Sequence, residues 1–148
     1  MRITGGTHRS RSLVAPRGQA TRPTSDRVRE ALFAILGADA PIDGARVLDL
    51  YAGTGALALE ALSRGAAFAV MVERAREPLE AIRANVAALG MSGDARVVGA
   101  PVERAAKAIR DAGGGAFDLV FVDPPYAEVP SGAAARAIGA IVEAGLVA

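Results

Sequence analysis

The chain contains no cysteine, and this absence excludes disulfide bonds and metal sites built on thiolates. A cysteine-free chain suits a reducing compartment, so we expect a cytoplasmic protein without a resident metal. The first residues, MRITGG, lack the apolar stretch of a secretory signal peptide. The longest strongly apolar run, residues 66–72, is far too short to cross a bilayer, and no membrane partner is expected.

Lysine is nearly absent too, and the positive charge, carried by arginine, is unevenly spread. Residues 1–30 hold seven arginines against two acids, a net charge of +5, whereas residues 31–148 hold ten basic residues against fourteen acids, a net charge of −4. A basic arm on an acidic body predicts a polyanionic partner, although an ordinary solvated arm remains an alternative. Guanidinium groups bind phosphates and base edges through paired N–H donors, which favours nucleic acid. The candidate contacts are Arg9, Arg11, Arg22, Arg27 and Arg29.

From residue 45 onward, short apolar runs alternate with segments of helical periodicity. Strands are predicted at residues 46–50, 68–72, 96–98 and 117–122, and helices at residues 56–64, 78–89, 101–112 and 133–146. This order predicts an α/β fold of the Rossmann-like kind, with a mostly parallel sheet and helices on both of its faces. Ligands of such folds bind at the carboxyl ends of the strands, near the point where the strand order reverses.

The first 36 residues follow a different pattern. Residues 3–6 and 11–14 predict a small hairpin, and a helix is expected to begin after an N-cap at Thr24 or Ser25. Its apolar face is predicted to consist of Val28, Leu32, Ile35 and Leu36. We therefore divide the chain into a basic arm, residues 1–36, facing nucleic acid, and a ligand-binding domain, residues 37–148.

A glycine-rich turn with an acid on each side follows the first predicted strand. Asp49 precedes the loop Ala52-Gly53-Thr54-Gly55, and Glu73 ends the second strand. A loose dinucleotide fingerprint and a plain strand-to-helix turn both match the glycines alone. Glu73 is placed to accept ribose hydroxyls. Asp49 would oppose a pyrophosphate but attract a sulfonium with an ammonium group, although it could also cap the next helix. The charge therefore favours S-adenosylmethionine over NAD.

The fourth predicted strand ends in Asp123-Pro124-Pro125-Tyr126. Proline has no N–H and holds its predecessor extended, so the Asp123 carboxylate and the Pro124 carbonyl can both face one point. Two acceptors at one point suit an amino group with two hydrogens, and Tyr126 offers a flat face for a base. The segment predicts a clamp for the exocyclic amine of a nucleobase, with simple strand termination as the alternative for this segment taken alone.

Together these segments resemble the bacterial 16S ribosomal RNA guanine-N2 methyltransferases. The resemblance covers nearly the whole chain, and its motifs are RITGGTHRSRSLVAP, RPTSDRVREALFAIL, VLDLYAGTGALALEALSRGA, VMVER and FDLVFVDPPY. It implies a class I methyltransferase fold in which the loop, Asp49 and Glu73 hold S-adenosylmethionine. It also implies that residues 123–126 hold a flipped guanine, and that the arm meets 16S rRNA in the small subunit or an assembly intermediate.

Two departures from that family pattern affect what we expect. Pro101-Val102 stands where the family usually has Asp or Asn followed by Ala, so adenine binding is expected to be weaker or to use backbone groups. The family fold has seven strands, of which this chain accounts for the first four. We therefore expect a shortened catalytic domain with the fourth strand at the sheet edge. An adenine-N6 methyltransferase acting on DNA or RNA, and an inactive RNA-binding domain, remain alternatives.

Overall fold

The computed structural model describes residues 1–16, 25–39 and 41–148. Arg22 and Thr24 therefore lie outside the described residues, and Tyr126 is described only in its backbone. The elements are, in chain order, α1 (Asp26–Asp39), β1 (Arg46–Asp49), α2 (Ala56–Ser63), β2 (Phe68–Glu73), α3 (Arg76–Ala88), β3 (Ala95–Gly99), a 3₁₀ helix (Val102–Arg104), α4 (Ala106–Gly113), β4 (Leu119–Phe121), a second 3₁₀ helix (Tyr126–Ser131) and α5 (Ala133–Glu143). Within these ranges, no helix combines the length and the apolarity needed to cross a membrane.

The four strands form one sheet in the order β3-β2-β1-β4, and every pairing is parallel. The strand order reverses beside β1, so the carboxyl ends of β1 and β4 border the crevice where such sheets bind ligands. The predicted α/β fold with a parallel sheet is confirmed. Asp49 pairs with Met71 on one side and with Phe121 on the other, which places its carboxyl group at this crevice.

Helices cover both faces of the sheet, because successive side chains of each strand point to opposite sides. Met71 packs in one buried cluster with residues of α2 and α3, whereas Val70 and Val72 pack in a second cluster with residues of α4 and α5. Both clusters are built mainly from aliphatic side chains. The near-continuous apolar sequences of the strands follow from this two-sided burial.

Element boundaries differ from those predicted, and two of the differences change the local structure. The helix expected over residues 101–112 is divided at Ala105, where a 3₁₀ turn opened by Pro101 gives way to α4. The fourth strand is shorter than residues 117–122, because Phe117 pairs in parallel with Val147 instead. The Phe117 amide donates to the Leu146 carbonyl at 2.8 Å, so the last residues cover the start of the β4 edge that we expected to be open.

The arm forms the predicted hairpin and docks onto α2. The Ile3 amide donates to the Arg11 carbonyl at 2.9 Å, and the Leu13 amide donates to the Met1 carbonyl at 2.9 Å. Gly6 has a φ of 81°, and a Cβ placed there would lie 1.9 Å from the Ser63 carbonyl oxygen. The Thr7 amide donates to that same carbonyl at 2.8 Å. Gly6 thus allows backbone to pack directly against backbone.

A buried carboxylate on α2 holds the arm and α1 in place. Glu60 is completely buried and accepts hydrogen bonds from the amides of Thr4 and Gly5 at 2.9 Å each. It also pairs with the guanidinium groups of Arg29 at 3.0 Å and Arg64 at 2.9 Å. Burial alone raises the pKa of Glu60, but the donors from Thr4, Arg64 and Arg29 outweigh it and lower the pKa below its ordinary value.

The same ion pair corrects two predictions about α1. Arg29 was expected to meet nucleic acid, and this is wrong because its side chain is fully buried against Glu60. The apolar face predicted for α1 is also wrong in part, since Val28 is 58% exposed and Ile35 is 63% exposed. The helix instead buries Arg29 and Phe33, one turn apart. Ser25 is the N-cap, because its Oγ accepts the Val28 amide at 3.2 Å.

Replacement of Glu60 by glutamine is expected to destabilise the fold by about 3–5 kcal/mol at neutral pH, because it removes the buried counter-charge of the Arg29 guanidinium and leaves that group paired with the half-exposed Asp26. Since the folded state holds the ionised carboxylate, the stability advantage of the wild type over the variant shrinks as the pH falls below 4.5, the ordinary pKa of a glutamate. Urea unfolding at pH 7 and pH 3.5 measures both effects.

Glu80→Gln is the matched control, because Glu80 forms a surface pair with Arg76 and its side chain is 62% exposed. We expect this control to change the free energy of unfolding by less than about 0.5 kcal/mol. Equal effects of the two substitutions would contradict the account of the buried carboxylate.

Candidate functional site

A cleft of about 440 Å³ opens at the carboxyl ends of the strands. Its walls include Tyr51 after β1, Glu73 at the end of β2, Ala100 after β3 and Pro125 after β4. The volume lies in the range of small-molecule sites. The cleft is therefore where the topology predicts a ligand, and residues from all four strand ends line it.

Glu73 is fixed at the cleft by backbone donors. Its Oε1 accepts the Gly53 amide at 3.2 Å, and its Oε2 accepts the amides of Arg74 at 2.8 Å and Ala75 at 3.0 Å. These bonds hold the glycine loop against the end of β2. Because each ionised oxygen accepts two hydrogen bonds, Oε1 keeps one acceptor position for a hydroxyl donor in the cleft.

The glycine loop needs its glycines for both conformation and packing. Gly53 and Gly55 have φ values of 57° and 81°, in the left-handed region. A Cβ at Gly55 would also lie 3.0 Å from the Met71 Sδ. All four loop residues, Ala52 to Gly55, are buried in this structure, so they form the floor below the cleft rather than its wall.

Asp49 lies at the end of β1 and is 1% exposed. Neither of its carboxylate oxygens has a hydrogen-bond partner among the described residues. Burial raises the pKa of Asp49 to about 7, and the negative charges of Asp123 and Glu73 add to the rise. The amides of Ala58 and Tyr51 offset part of the shift without reaching hydrogen-bonding geometry.

The helix-cap alternative for Asp49 is not formed. Helix α2 begins at an N-cap of Gly55, and no side chain caps it. What remains is a desolvated carboxylate beneath the glycine loop, and such a group is costly unless a positive charge or donor pairs with it. The residues present therefore fit a small cationic ligand, as the sulfonium and ammonium groups of S-adenosylmethionine would provide.

The Asp123-Pro124-Pro125 segment lies beside this carboxylate. Asp123 and Pro125 are exposed, and Pro124 is half-buried. The Leu50 amide donates to the Phe121 carbonyl at 3.0 Å, which holds the end of β4 against the start of the loop. Asp123 is close enough to Asp49 to raise its pKa. Asp49 and Asp123 thus lie close together at the point where the strand order reverses. Asp49 is buried, whereas Asp123 is exposed and accessible to a substrate.

The arginines that were predicted to contact nucleic acid lie at the surface, apart from Arg29 and from Arg22, which lies outside the described residues. Arg9, Arg11 and Arg27 are exposed, and Arg11 also donates to the Ala88 carbonyl at 2.7 Å.

Val102, which replaces the usual small residue after β3, is buried and lines the cleft with its apolar side chain. In the described ranges, no group of three His, Cys, Asp or Glu side chains is arranged to hold a metal ion.

Two buried polar residues that the sequence reasoning missed tie the arm to this region. Glu60 holds the start of the arm, and Asn85 on α3 contacts both the arm and the glycine loop. A signal was present for each, because both are polar residues on otherwise apolar faces of predicted helices. Most buried polar side chains are hydrogen-bonded, so a polar residue on such a face indicates a specific partner.

The family model described as "Conserved hypothetical protein 95" matches residues 1–147. The chain belongs to this family. Ribosomal RNA small subunit methyltransferase D of Escherichia coli strain K12 is 45% identical over 127 residues, which cover 85% of this chain and 60% of that protein. The predicted resemblance to small-subunit rRNA methyltransferases is confirmed, although this chain spans less than two thirds of that relative.

Solved structures agree with the fold. Hypothetical protein TTHA0928 of Thermus thermophilus superposes with a TM-score of 0.79 at 36% identity, over 100% of this chain and 80% of that one. The SAH-bound methyltransferase PaMTH1 of Podospora anserina superposes with a TM-score of 0.67 at 21% identity, over 85% of this chain and 50% of that one. The second likeness shows the fold alone.

Asp49→Asn is expected to stabilise the ligand-free protein by about 1–3 kcal/mol at pH 8, because an amide removes a buried charge that lacks a partner. Because the pKa of Asp49 is raised to about 7, this residue keeps its proton in the folded wild type up to about pH 7, whereas the ordinary pKa of an aspartate is 3.8. The wild-type free energy of unfolding therefore falls as the pH rises between these values, and the gain from the substitution grows.

Urea unfolding of both proteins at pH 5 and pH 8 checks this expectation. Asp111→Asn is the control, since Asp111 forms an exposed pair with Lys107 on α4. A stabilisation by Asp49→Asn that is equal at the two pH values, or a loss of stability at pH 8, would show that the carboxylate has a partner.

Proposed function

We propose that this chain transfers a methyl group from S-adenosylmethionine to the exocyclic N2 amine of a guanine in 16S rRNA, within the small subunit or an assembly intermediate, in the cytoplasm. The observation that carries the proposal is the convergence of Asp49, buried without a hydrogen-bond partner among the described residues, and Asp123, exposed, at the reversal of the strand order. The name of the E. coli relative supports the substrate.

Three features of the chain would hold the cofactor. Glu73 would accept a ribose hydroxyl through Oε1 at the cleft, the glycine loop would let the ligand approach the backbone closely, and Asp49 would supply the opposite charge. S-adenosylmethionine supplies an electrophilic methyl group on a positively charged sulfur when it is bound. Since Asp49 and the loop are covered in this structure, a small shift of the loop has to accompany binding.

The base would be held by two acceptors after β4. The Asp123 carboxylate and the Pro124 carbonyl would each accept one N–H of the N2 amine, and neither proline offers a competing donor. An aromatic amine is a poor nucleophile because its lone pair is shared with the ring. Holding both hydrogens out of the ring plane favours the tetrahedral geometry of the transition state.

The chemical step needs positioning more than a strong base. Methyl transfer would form the nitrogen–methyl bond at the expense of the sulfur–methyl bond, whose electron pair would leave with the sulfur. The nitrogen then carries an extra proton, which is acidic and leaves to Asp123 or to water. Exposed Asp123 is suited to this role because its proton passes on to solvent.

The arm would supply the RNA contacts. Arg9, Arg11 and Arg27 are exposed and offer guanidinium groups to phosphates, whereas Arg29 serves the fold. Arg22 stays a predicted contact. Such contacts give affinity that falls steeply with added salt.

Asp123→Ala is expected to lower methyl transfer by about 100-fold or more, because it removes the side-chain oxygen that would accept one N–H of the amine. RNA affinity should change little, since the arm arginines remain. Incorporation of labelled methyl groups into 30S subunits and into free 16S rRNA measures the first effect, and a filter-binding assay measures the second. Asp111→Ala on the surface of α4 is the matched control.

The same assay separates the alternatives. Methylation of adenine in duplex DNA or in RNA, with guanine unmodified, would favour an adenine-N6 enzyme. RNA binding without turnover on any substrate would favour an RNA-binding domain. Full activity of the Asp123→Ala protein would contradict the proposed clamp.

A further inference from the structure

Asn85 is a polar residue at the centre of the interface between α3, the arm and the glycine loop. It is 1% exposed. Its Oδ1 accepts the Val14 amide at 2.7 Å, and its Nδ2 donates to the carbonyls of Val14 at 3.0 Å and Thr54 at 3.1 Å. One side chain thus satisfies backbone groups of two segments that lie 40 residues apart in the sequence.

The two segments belong to the two halves of the proposed function. Val14 follows the hairpin that carries Arg9 and Arg11, and it precedes Arg17 and Arg22 in the sequence. Thr54 lies between the two glycines of the loop that follows Asp49 in the sequence. A second contact from the arm reaches the same residue, since the Thr54 Oγ1 donates to the Met1 Sδ at 3.6 Å.

The packing around Asn85 restrains the arm segment at Val14 and the glycine loop together, so that neither moves far without the other. Ile82, one turn earlier on α3, lies 3.4 Å from the position of a Cβ at Gly55. A loop that moves to admit a ligand at Asp49 carries the Thr54 carbonyl with it, and the Asn85 amide must follow or lose a buried hydrogen bond. Loss of that bond is costly because water does not replace it.

We propose that Asn85 is a positioning residue that couples the arm to the glycine loop, so that RNA held by the arm and cofactor held at the loop strengthen each other's binding. The inference rests on the proposed function. A ligand that orders one segment lowers the cost of ordering the other, because both are held by the same amide. By linkage, the gain for the cofactor equals the gain for the RNA.

The competing explanation is that Asn85 only stabilises the docked arm. Ser63 gives a matched control, since it is also buried and holds the arm through its hydroxyl. Its Oγ accepts the His8 amide at 2.9 Å and donates to the Gly5 carbonyl at 2.6 Å, and neither of these bonds involves the glycine loop. Ser63→Ala therefore weakens arm docking and leaves the Thr54 carbonyl paired.

The experiment measures the Kd of S-adenosylhomocysteine, the product, by calorimetry with and without saturating 16S rRNA, so that no turnover occurs. For the wild type we expect RNA to lower this Kd by about fivefold or more, within the usual range of coupling between sites. Asn85→Ala is expected to reduce the ratio to near one, whereas Ser63→Ala should keep the wild-type ratio. Urea midpoints of the two variants show whether they lose similar stability.

Asn85→Asp is the second variant, in case the alanine protein does not fold. A carboxylate still accepts the Val14 amide but cannot donate to the Thr54 carbonyl, so the ratio should again approach one. A wild-type ratio in either Asn85 variant, or a loss of the ratio in Ser63→Ala as well, would overturn the inference. A wild-type ratio of one would overturn it while leaving the proposed function intact, whereas a wild type that binds neither ligand would contradict both.

Discussion

Desolvation of the Asp49 carboxylate is the constraint on which the site depends. The group sits at the end of a central parallel strand, with buried neighbours on both sides and no donor in hydrogen-bonding geometry among the described residues. Two further acids, Glu73 and Asp123, surround it and raise its pKa. A fold that only had to be stable would place an amide or an aliphatic side chain there. The loss of stability from burying Asp49 is explained if a cationic ligand completes the site. Proteins commonly sacrifice stability in this way at functional positions.

The arm is part of the architecture as well as a candidate RNA contact. Ile3 and Leu13 pack in the same buried cluster as α2 and α3, and Glu60 receives donors from the arm, α1 and α2. Gly6, which the resemblance to the family includes, has a physical reason in the close approach to Ser63. Arginines in this segment therefore serve two purposes. Arg29 stabilises the fold, whereas Arg9 and Arg27 remain open to a partner.

Much of the fold could be predicted because its signals are local. Apolar runs bounded by glycine and proline predicted the order of strands and helices, and the alternation predicted the parallel sheet. The positions of Asp49, Glu73 and Asp123 at strand ends followed from the same pattern. The division of the chain at residue 36 stays a prediction, and so do the roles assigned to residues 123–126.

What could not be predicted depends on tertiary packing. The burial of Arg29 is set by Glu60, which lies 31 residues away, and an exposed arginine has the same sequence signature. The exposure of Val28 and Ile35 follows from that pairing, since α1 turns its arginine face inward. Asn85 and Ser63 likewise form hydrogen bonds with arm residues more than fifty positions away in the sequence, and Asn85 also bonds to the glycine loop. No hydrophobic periodicity encodes such contacts.

The most direct test of the central claim is the affinity for S-adenosylmethionine as a function of pH between 5.5 and 7.5, in the wild type and in Asp49→Asn. If the ionised Asp49 pairs with the cationic ligand, wild-type affinity rises with pH through about 7, and the substituted protein binds weakly with little dependence on pH. Equal affinity of the two proteins across this range would contradict the account.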